Sequence, residues 1–518
     1  MGASAKYPIG IQSFAQVREG GYVYVDKTGL LWELANRGKY YFLSRPRRFG
    51  KSLTLSTLEA YFLGRRELFA GLEIEKLEQD WVSYPVLHLD LNTGQYSSAD
   101  DLRDLLEDFV ATAAATFGVA DEAELPLALR FKKLVEGIAA REGRNVVILV
   151  DEYDKPLLNA IDNPRAYAEM QDLMKAFYGV LKTCDASIRF AMLTGVARFG
   201  KVSVFSDLNN LMDISLSARY NAVCGIAESE LPRYFDADIR SLAEATGMTP
   251  DSARRLLREN YDGYRFADPA EAEGVYNPFS LMNCLFNRRF GDFWFETGTP
   301  TFLVKLMISQ GVKIADLHDI DADESELMGV NTADNDPISL LYQTGYLTIR
   351  SYDPAADIYR LDFPNREVER GLKRFSFLIY GRENPSGFNI REFARDLNSG
   401  NAEGFMKRLQ AMIAAVPYEQ ARNSEATYSN VLYLLFTLLG YQTRAEIHMH
   451  RGRADMVVAT ARYVYLFEFK LDAPPSVGQA QISDRDYAMP YQADGRTVVR
   501  IAATFSRSAR NLSSWTIE

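Results

Sequence analysis

The residues with the clearest chemical capacity are Gly50, Lys51 and Ser52, which close the loop in YYFLSRPRRFGKSLTLSTLEAYF, residues 40–62. A glycine there lets backbone N–H groups approach phosphate oxygens. The lysine ammonium reaches terminal phosphates, and the serine hydroxyl can ligate magnesium at the positive end of a helix. About a hundred residues downstream, NVVILVDEYD ends an apolar run in Asp151 and Glu152. One carboxylate can hold the metal through water while the other acts as general base on an attacking water. The bland alternative is a helix N-terminus with ordinary acidic capping. In RFAMLTGVARF, Thr194 ends a third apolar run, where a polar group can sense a terminal phosphate; Arg198 is either a finger acting between subunits or a plain surface charge.

A second constellation lies near the C-terminus, in RGRADMVVATARYVYLFEFKLD. Glu468 and Lys470 share one face of a strand, and a hairpin partner can bring Asp455 beside them. That gives two carboxylates for Mg²⁺ and a lysine for a nucleophilic water. Glu425, at the start of the apolar helix, is a third carboxylate for the same metal, with Tyr428 one turn later. Such a set suits phosphodiester cleavage. The same spacing also describes an exposed hairpin with cross-strand salt pairs.

These residues need strands to carry them. Tyr40 to Leu43, Val86 to Leu91, Val146 to Val150, Arg189 to Thr194 and Met212 to Leu216 alternate with helical stretches, the pattern of a mostly parallel α/β sheet. VVILV is apolar at every position, as a strand covered on both faces must be. After about Ser217 the alternation stops. SELPRYFDADIRSLAEA and TPDSARRLLRENY then read as amphipathic helices with polar N-caps. ISLLYQTGYLTIRSYDPAADIYRLDFPN reads as a helix and a hairpin of winged-helix-like shape, with Asp353 and Pro354 in the turn. From about Phe388 a helical stretch and the apolar TYSNVLYLLFTLLGY lead into a second α/β domain.

The bulk properties are those of a multidomain globular chain: 518 residues, 47% hydrophobic and 25% charged. No run reaches the roughly 20 apolar residues of a membrane span, and MGASAKYPIG lacks the layout of a secretion signal, so no membrane partner and a cytoplasmic location are expected. Cys184, Cys224 and Cys284 are widely spaced and read as reduced packing residues. A net charge of −11 argues against a broad non-specific grip on nucleic acid and leaves room for local basic patches. The sequence leaves a homo-oligomer open.

Taken together, these strings resemble the prokaryotic AAA-like ATPases fused to a C-terminal PD-(D/E)XK nuclease-like domain. The resemblance rests on YPIGIQSF, YVYVDKTGLL, FLSRPRRFGKSLTLSTLEAYF, VDEYDKPL, LTGVARF with VFSDLNNLMDISL, YDGYRF with YNPFS, and the C-terminal GRADMVV, FEFKLD and QAQISDRDY. It covers nearly the whole chain. It implies an AAA or STAND-type P-loop domain (1–220), a helical and winged-helix-like middle (221–385) and a restriction-endonuclease-like α/β end (386–518). In that family the phosphate loop looks like SRPRRFGKS, so Arg45, standing where the general G-x-x-x-x-G-K-[ST] pattern has glycine, is a family habit.

Carried over residue by residue, Gly50, Lys51 and Ser52 match the family's Walker A positions and Asp151 and Glu152 its Walker B positions; with the residue reading, ATP is expected on Arg47, Arg48, Phe49, Gly50, Lys51, Ser52, Asp151 and Thr194, Mg²⁺ on Ser52 and Asp151, and catalysis from Glu152. At the other end Glu425, Asp455, Glu468 and Lys470 match nuclease motif positions, Asp455 and Glu468 as metal ligands, with Gln481 and Tyr487 on the following helix. DNA is the favoured nucleic acid. Tyr24, Asp26 and Lys27 either hold the nucleotide base or pack and pair.

Overall fold

The computed structural model describes residues 6–198, 210–294, 303–304, 306–307, 310, 312, 314–328, 337–380, 390–414, 424–443, 446–448, 456–484, 495–509 and 511–518, with side chains at 377–380, 424–430 and 441–448 excepted. The chain forms two compact units, one of Met1–Thr297 with Asp319–Val368, the other of Gly298–His318 with Glu369–Glu518.

In the first unit, β1 (Tyr40–Ser44), β2 (Val86–Asp90), β3 (Val146–Asp151), β4 (Ile188–Gly195) and β5 (Met212–Asp213) make a sheet in the order β2-β3-β4-β1-β5. Every pairing is parallel. Each residue of β1 and β3 is buried, which accounts for their unbroken apolar sequences. All five expected strands form, the fifth shorter than expected. The order has a consequence for the site: β4 inserts between β1 and β3, so the carboxyl ends of these three parallel strands lie side by side. Ligand crevices in open parallel sheets lie at the carboxyl ends of the strands.

Helices form where their ends are capped. Ser98 and Asp101 make a reciprocal capping box at the start of Ala99–Phe117, and Gly118, at φ 61°, closes it. Beyond the sheet, Asp236–Thr246, Pro250–Tyr261 and Pro278–Asn287 gather around Phe235, Leu242, Leu257, Tyr261 and Leu281. Thr249 and Asn277 cap the latter two, each followed by proline in the first turn. A short antiparallel pair, β6 (Ile226–Ala227) and β7 (Val275–Tyr276), borders this cluster.

The helix and hairpin expected at 338–365 are present as Pro337–Gln343, β9 (Thr348–Asp353) and β10 (Ile358–Asp362), joined by β8 (Ile320–Ala322) at the outer edge of β10. Asp353 shapes the turn by accepting the Ala355 N–H at 2.9 Å.

The second unit holds a mixed sheet, β11 (Glu446–His448), β12 (Met456–Ala459), β13 (Tyr463–Leu471), β14 (Thr497–Ser506) and β15 (Asn511–Ile517), in that order. Only β13 and β14 are parallel, and the helix Pro475–Asp484 connects them. The helix Ser424–Thr443 buries Leu434, Leu435, Phe436 and Leu439; Phe436 meets Phe467 of β13 edge-on at 4.9 Å. The three cysteines are free and buried, as expected of packing residues.

Candidate functional site

The loop from β1 to the helix Lys51–Phe62 is shaped by two residues in the left-handed region, Arg48 at φ 68° and Gly50 at φ 95°. A Cβ at Gly50 would touch nothing, so the requirement for glycine there is conformational. Arg45 takes no such conformation. It lies buried and donates from Nη1 to Ser44 O and Ser215 O, both at 2.9 Å, and from Nη2 to Tyr220 O at 3.1 Å. Its guanidinium rests 4.1 Å from the Phe266 ring centre. Burial brings its pKa down to about 10. Where the general pattern uses glycine to bend the loop, this chain uses arginine to brace it.

Lys51 is also buried, and its ammonium donates to Arg45 O at 3.1 Å and Pro46 O at 3.4 Å. Glu152 Oε1 lies 3.5 Å away. Arg47 and Arg48 are exposed, Arg48 stacking at 4.7 Å on Phe279. Phe49 is among the residues lining the cavity, while its ring is buried edge-on against Tyr264 and Phe266.

The sheet order places Thr194 at the end of β4, directly beside Asp151 at the end of β3. The Thr194 hydroxyl donates to Asp151 Oδ1 at 2.6 Å, and the Glu152 N–H donates to the same oxygen at 3.0 Å. Asp151 Oδ2 carries no hydrogen bond among the described residues, which suits a carboxylate reserved for a metal-bound water. Glu152 adopts φ 53°, an uncommon conformation for a non-glycine residue that turns its side chain toward Lys51.

Arg198 is neither a surface charge nor accessible to another subunit. It is buried, its Nε lies 3.7 Å from Asp213, and its N–H donates to Gln343 at 2.7 Å.

A residue that motif reading passes over is Asp154, the third carboxylate of the DEYD string. It is fully buried. Its Oδ2 accepts from Val196 N at 3.0 Å and Ala197 N at 2.6 Å, while Oδ1 has no partner. Burial, reinforced by the charge of Glu152, raises its pKa to about 7. A Cβ on Gly195 would come within 2.6 Å of Oδ1, so glycine is needed there for close approach. The signal was its place in the string; burial was not readable.

These groups open onto a cavity of about 400 Å³ within the first unit. Its lining includes Lys51, Ser52, Glu152, Asn92 and Lys155 as well as the apolar Pro8, Ile9, Val25, Phe279 and Met282. Tyr24 and Lys27 line it too, yet both also pair, Tyr24 with Thr57 at 3.4 Å and Lys27 with Glu230 at 2.6 Å. Asp26 instead holds local structure, accepting from Thr28 N at 2.9 Å and Glu73 N at 2.8 Å.

In the second unit, Glu468 and Lys470 lie on β13 as expected. Glu468 is 1% exposed, and Lys470 Nζ donates to it at 2.8 Å and to Gln481 Oε1 at 2.7 Å. Gly478 lets the helix Pro475–Asp484 lie close over β13 and β14, since a Cβ there would be 3.1 Å from Ala502 Cβ and 3.4 Å from Glu468 Cγ. Glu425 falls in the first turn of Ser424–Thr443, but its side chain, like Tyr428, Asp455 and Tyr487, lies outside the described residues. The described pairing of β12 with β13 ends at Met456↔Phe467, one residue short of Asp455. Among the described residues no three His, Cys, Asp or Glu side chains are grouped to hold a metal, and no helix is long and apolar enough to cross a membrane.

Comparison with known proteins agrees with this division. Residues 8–205 match the family model for a predicted AAA-ATPase, and residues 423–515 that of the PD-(D/E)XK nuclease superfamily. A protein of Azotobacter chroococcum mcd 1, described as an uncharacterized protein in the vnfD 5′ region, is 38% identical over 525 residues, covering 99% of each chain. Among solved structures, the Aeropyrum pernix ORC1 protein in complex with DNA aligns at 14% identity, with 67% of this chain and 90% of that one covered and a TM-score of 0.25. The ORC2 protein of the same organism aligns at 12% identity, with coverage of 70% and 98% and a TM-score of 0.26. At such scores the fold rests on the strand order itself. With a relative matched along 99% of both chains and both regions recognised, the chain belongs to the family of predicted AAA-ATPases that carry a C-terminal PD-(D/E)XK nuclease superfamily domain.

Proposed function

We propose that the chain is a cytoplasmic ATPase whose C-terminal domain is a Mg²⁺-dependent nuclease acting on DNA under ATP control. The nucleotide part is assigned to 1–220, a helical and winged-helix-like middle to 221–385 and the nuclease-like part to 386–518. The observation that carries the reading is the insertion of β4 between β1 and β3, which brings the phosphate loop, Asp151–Glu152 and Thr194 to adjacent strand ends. The cavity suits a nucleoside triphosphate, since its lining combines cations and the start of the helix Lys51–Phe62 with apolar side chains that a base could pack on. Ser52 and Asp151 would hold the magnesium ion, which when bound neutralises charge on the terminal phosphates. Glu152 accepts a proton from the attacking water, and Thr194 fixes the orientation of Asp151. In the nuclease-like domain, Asp455 and Glu468 would hold a second Mg²⁺ with Glu425 nearby, and Lys470, anchored by Gln481, orients the nucleophile.

A second reading, an ATP-driven switch or scaffold whose nuclease-like domain only binds nucleic acid or a protein, draws support from the net charge of −11. The deciding experiment offers linear, circular and single-stranded DNA, and RNA, with Mg²⁺ or Mn²⁺, with and without ATP, beside Asp455→Ala. Cleavage lost in the variant supports the nuclease. Intact substrates under every condition, with ATP binding verified, select the switch.

A further inference from the structure

Phosphoryl transfer requires positive charge on the terminal phosphoryl oxygens beyond that of the phosphate-loop lysine, and many such enzymes take it from an arginine finger. Among the described residues the cations lining the cavity are Lys27, Arg47, Arg48, Lys51 and Lys155, and Arg47 and Arg48 are exposed loop residues. Arg198 is buried with Asp213, and Arg45 is spent on backbone carbonyls. Lys27 bonds both oxygens of Glu230, at 2.6 and 2.7 Å, and Arg48 lies over Phe279. Lys155 differs. It lines the cavity with Lys51 and Glu152, three residues after Glu152, at the first residue of Lys155–Asn159. Its ammonium donates to a neutral oxygen, Asn92 Oδ1, at 3.2 Å, and it makes no ion pair among the described residues. Asn92 is in turn placed by the sheet: β2 pairs with β3 as far as Asp90↔Asp151, and Asp90 Oδ1 accepts the Asn92 N–H at 2.8 Å.

We infer that Lys155 is a catalytic cation acting in cis on the terminal phosphoryl group, with Asn92 as its positioning residue. The inference rests on the ATPase reading above. In the step it serves, the water oxygen bonds to the terminal phosphorus as the bond from that phosphorus to the bridging oxygen breaks. The bridging oxygen leaves with the electron pair on the diphosphate, and the water proton passes to Glu152. Lys155 transfers no proton in this step and exchanges its Asn92 bond for one to the oxygens where negative charge accumulates.

The test uses the whole chain, comparing wild type, Lys155→Ala and Lys155→Arg. Three quantities are read: kcat, the Kd of a non-hydrolysable ATP analogue, and the Kd of ADP with aluminium fluoride as transition-state mimic. Lys155→Ala is expected to lower kcat and weaken the mimic by about 100-fold or more, with the analogue nearly unchanged and Lys155→Arg largely restored. Wild-type kcat and mimic affinity in Lys155→Ala overturn the inference and leave the ATPase reading standing. Equal weakening of analogue and mimic with kcat unchanged also overturns it, since Lys155 then only binds substrate. Failure of wild type to bind nucleotide removes both. Mixing Lys155→Ala with Lys51→Ala separates cis from trans: persistent inactivity supports the inference, and recovered hydrolysis overturns it.

Discussion

Both candidate sites use a lysine beside carboxylates, but they hold it differently. Lys51 is anchored on two backbone carbonyls, with Glu152 at 3.5 Å, beyond ordinary hydrogen-bond length. Lys470 is anchored on two side chains, Glu468 at 2.8 Å and Gln481 at 2.7 Å. In the first arrangement the fold fixes the cation through the backbone, apart from the neighbouring carboxylate. In the second, a half-buried cation meets a buried carboxylate at hydrogen-bond distance. Removing one member of each site therefore has a different consequence, catalytic in one case and structural in the other.

The largest effect expected is on hydrolysis. Glu152→Gln removes the proton acceptor and keeps the size of the side chain, so kcat falls by roughly 10²–10⁴-fold while nucleotide binding persists. Single-turnover hydrolysis beside a binding titration checks it, and hydrolysis at the wild-type rate removes Glu152 from that role. At the other site, Lys470→Ala leaves Glu468 buried without its ammonium, a loss of roughly 3 kcal/mol that thermal or denaturant unfolding reads. Glu468→Gln is expected to cost less, because the amide oxygen still accepts from Lys470. Equal stability of wild type and Lys470→Ala would break the contrast drawn between the two lysines.

Next in size, Lys51→Ala is expected to weaken ATP binding about 100-fold, the loss of charge-assisted contacts to the terminal phosphates. Its measurement also bears on how much of each site could be read from sequence. The nucleotide site is assembled from short segments at strand ends, so Gly50–Ser52, Asp151–Glu152 and Thr194 could be named from their strings alone. The parallel strands were equally legible, because VVILV and its neighbours can only be satisfied by burial on both faces. Arg45 was not: its bracing contacts reach to Ser215 and Tyr220, some 170 residues away, and no local pattern encodes them. The same reason hid the burial of Arg198 and the place of Lys155 in the cavity lining. In the C-terminal set, Glu468 and Lys470 share a strand face by simple alternation, whereas Glu425 starts a separate helix, Ser424–Thr443, which no local pattern ties to that strand.

The smallest effect sharpens the comparison from within the nucleotide site, where one carboxyl is protonated more readily than its neighbours. Asp154, with a folded pKa of about 7 against an ordinary 3.8, binds more protons folded than unfolded between those values. Stability is therefore lost as pH rises from about 4 to about 7, and the full cost of burying the anion is felt above that. Asp154→Asn keeps an oxygen for the Val196 and Ala197 N–H groups and carries no charge at any pH. The difference in Tm between this variant and wild type should grow across pH 4.5 to 8, and a constant difference would show that Asp154 stays ionised in the fold. Because the charge of Glu152 contributes to the shift, Glu152→Gln should lower the Asp154 pKa and flatten the same profile in part. That links Glu152 to the buried carboxyl through a measurement that does not depend on hydrolysis.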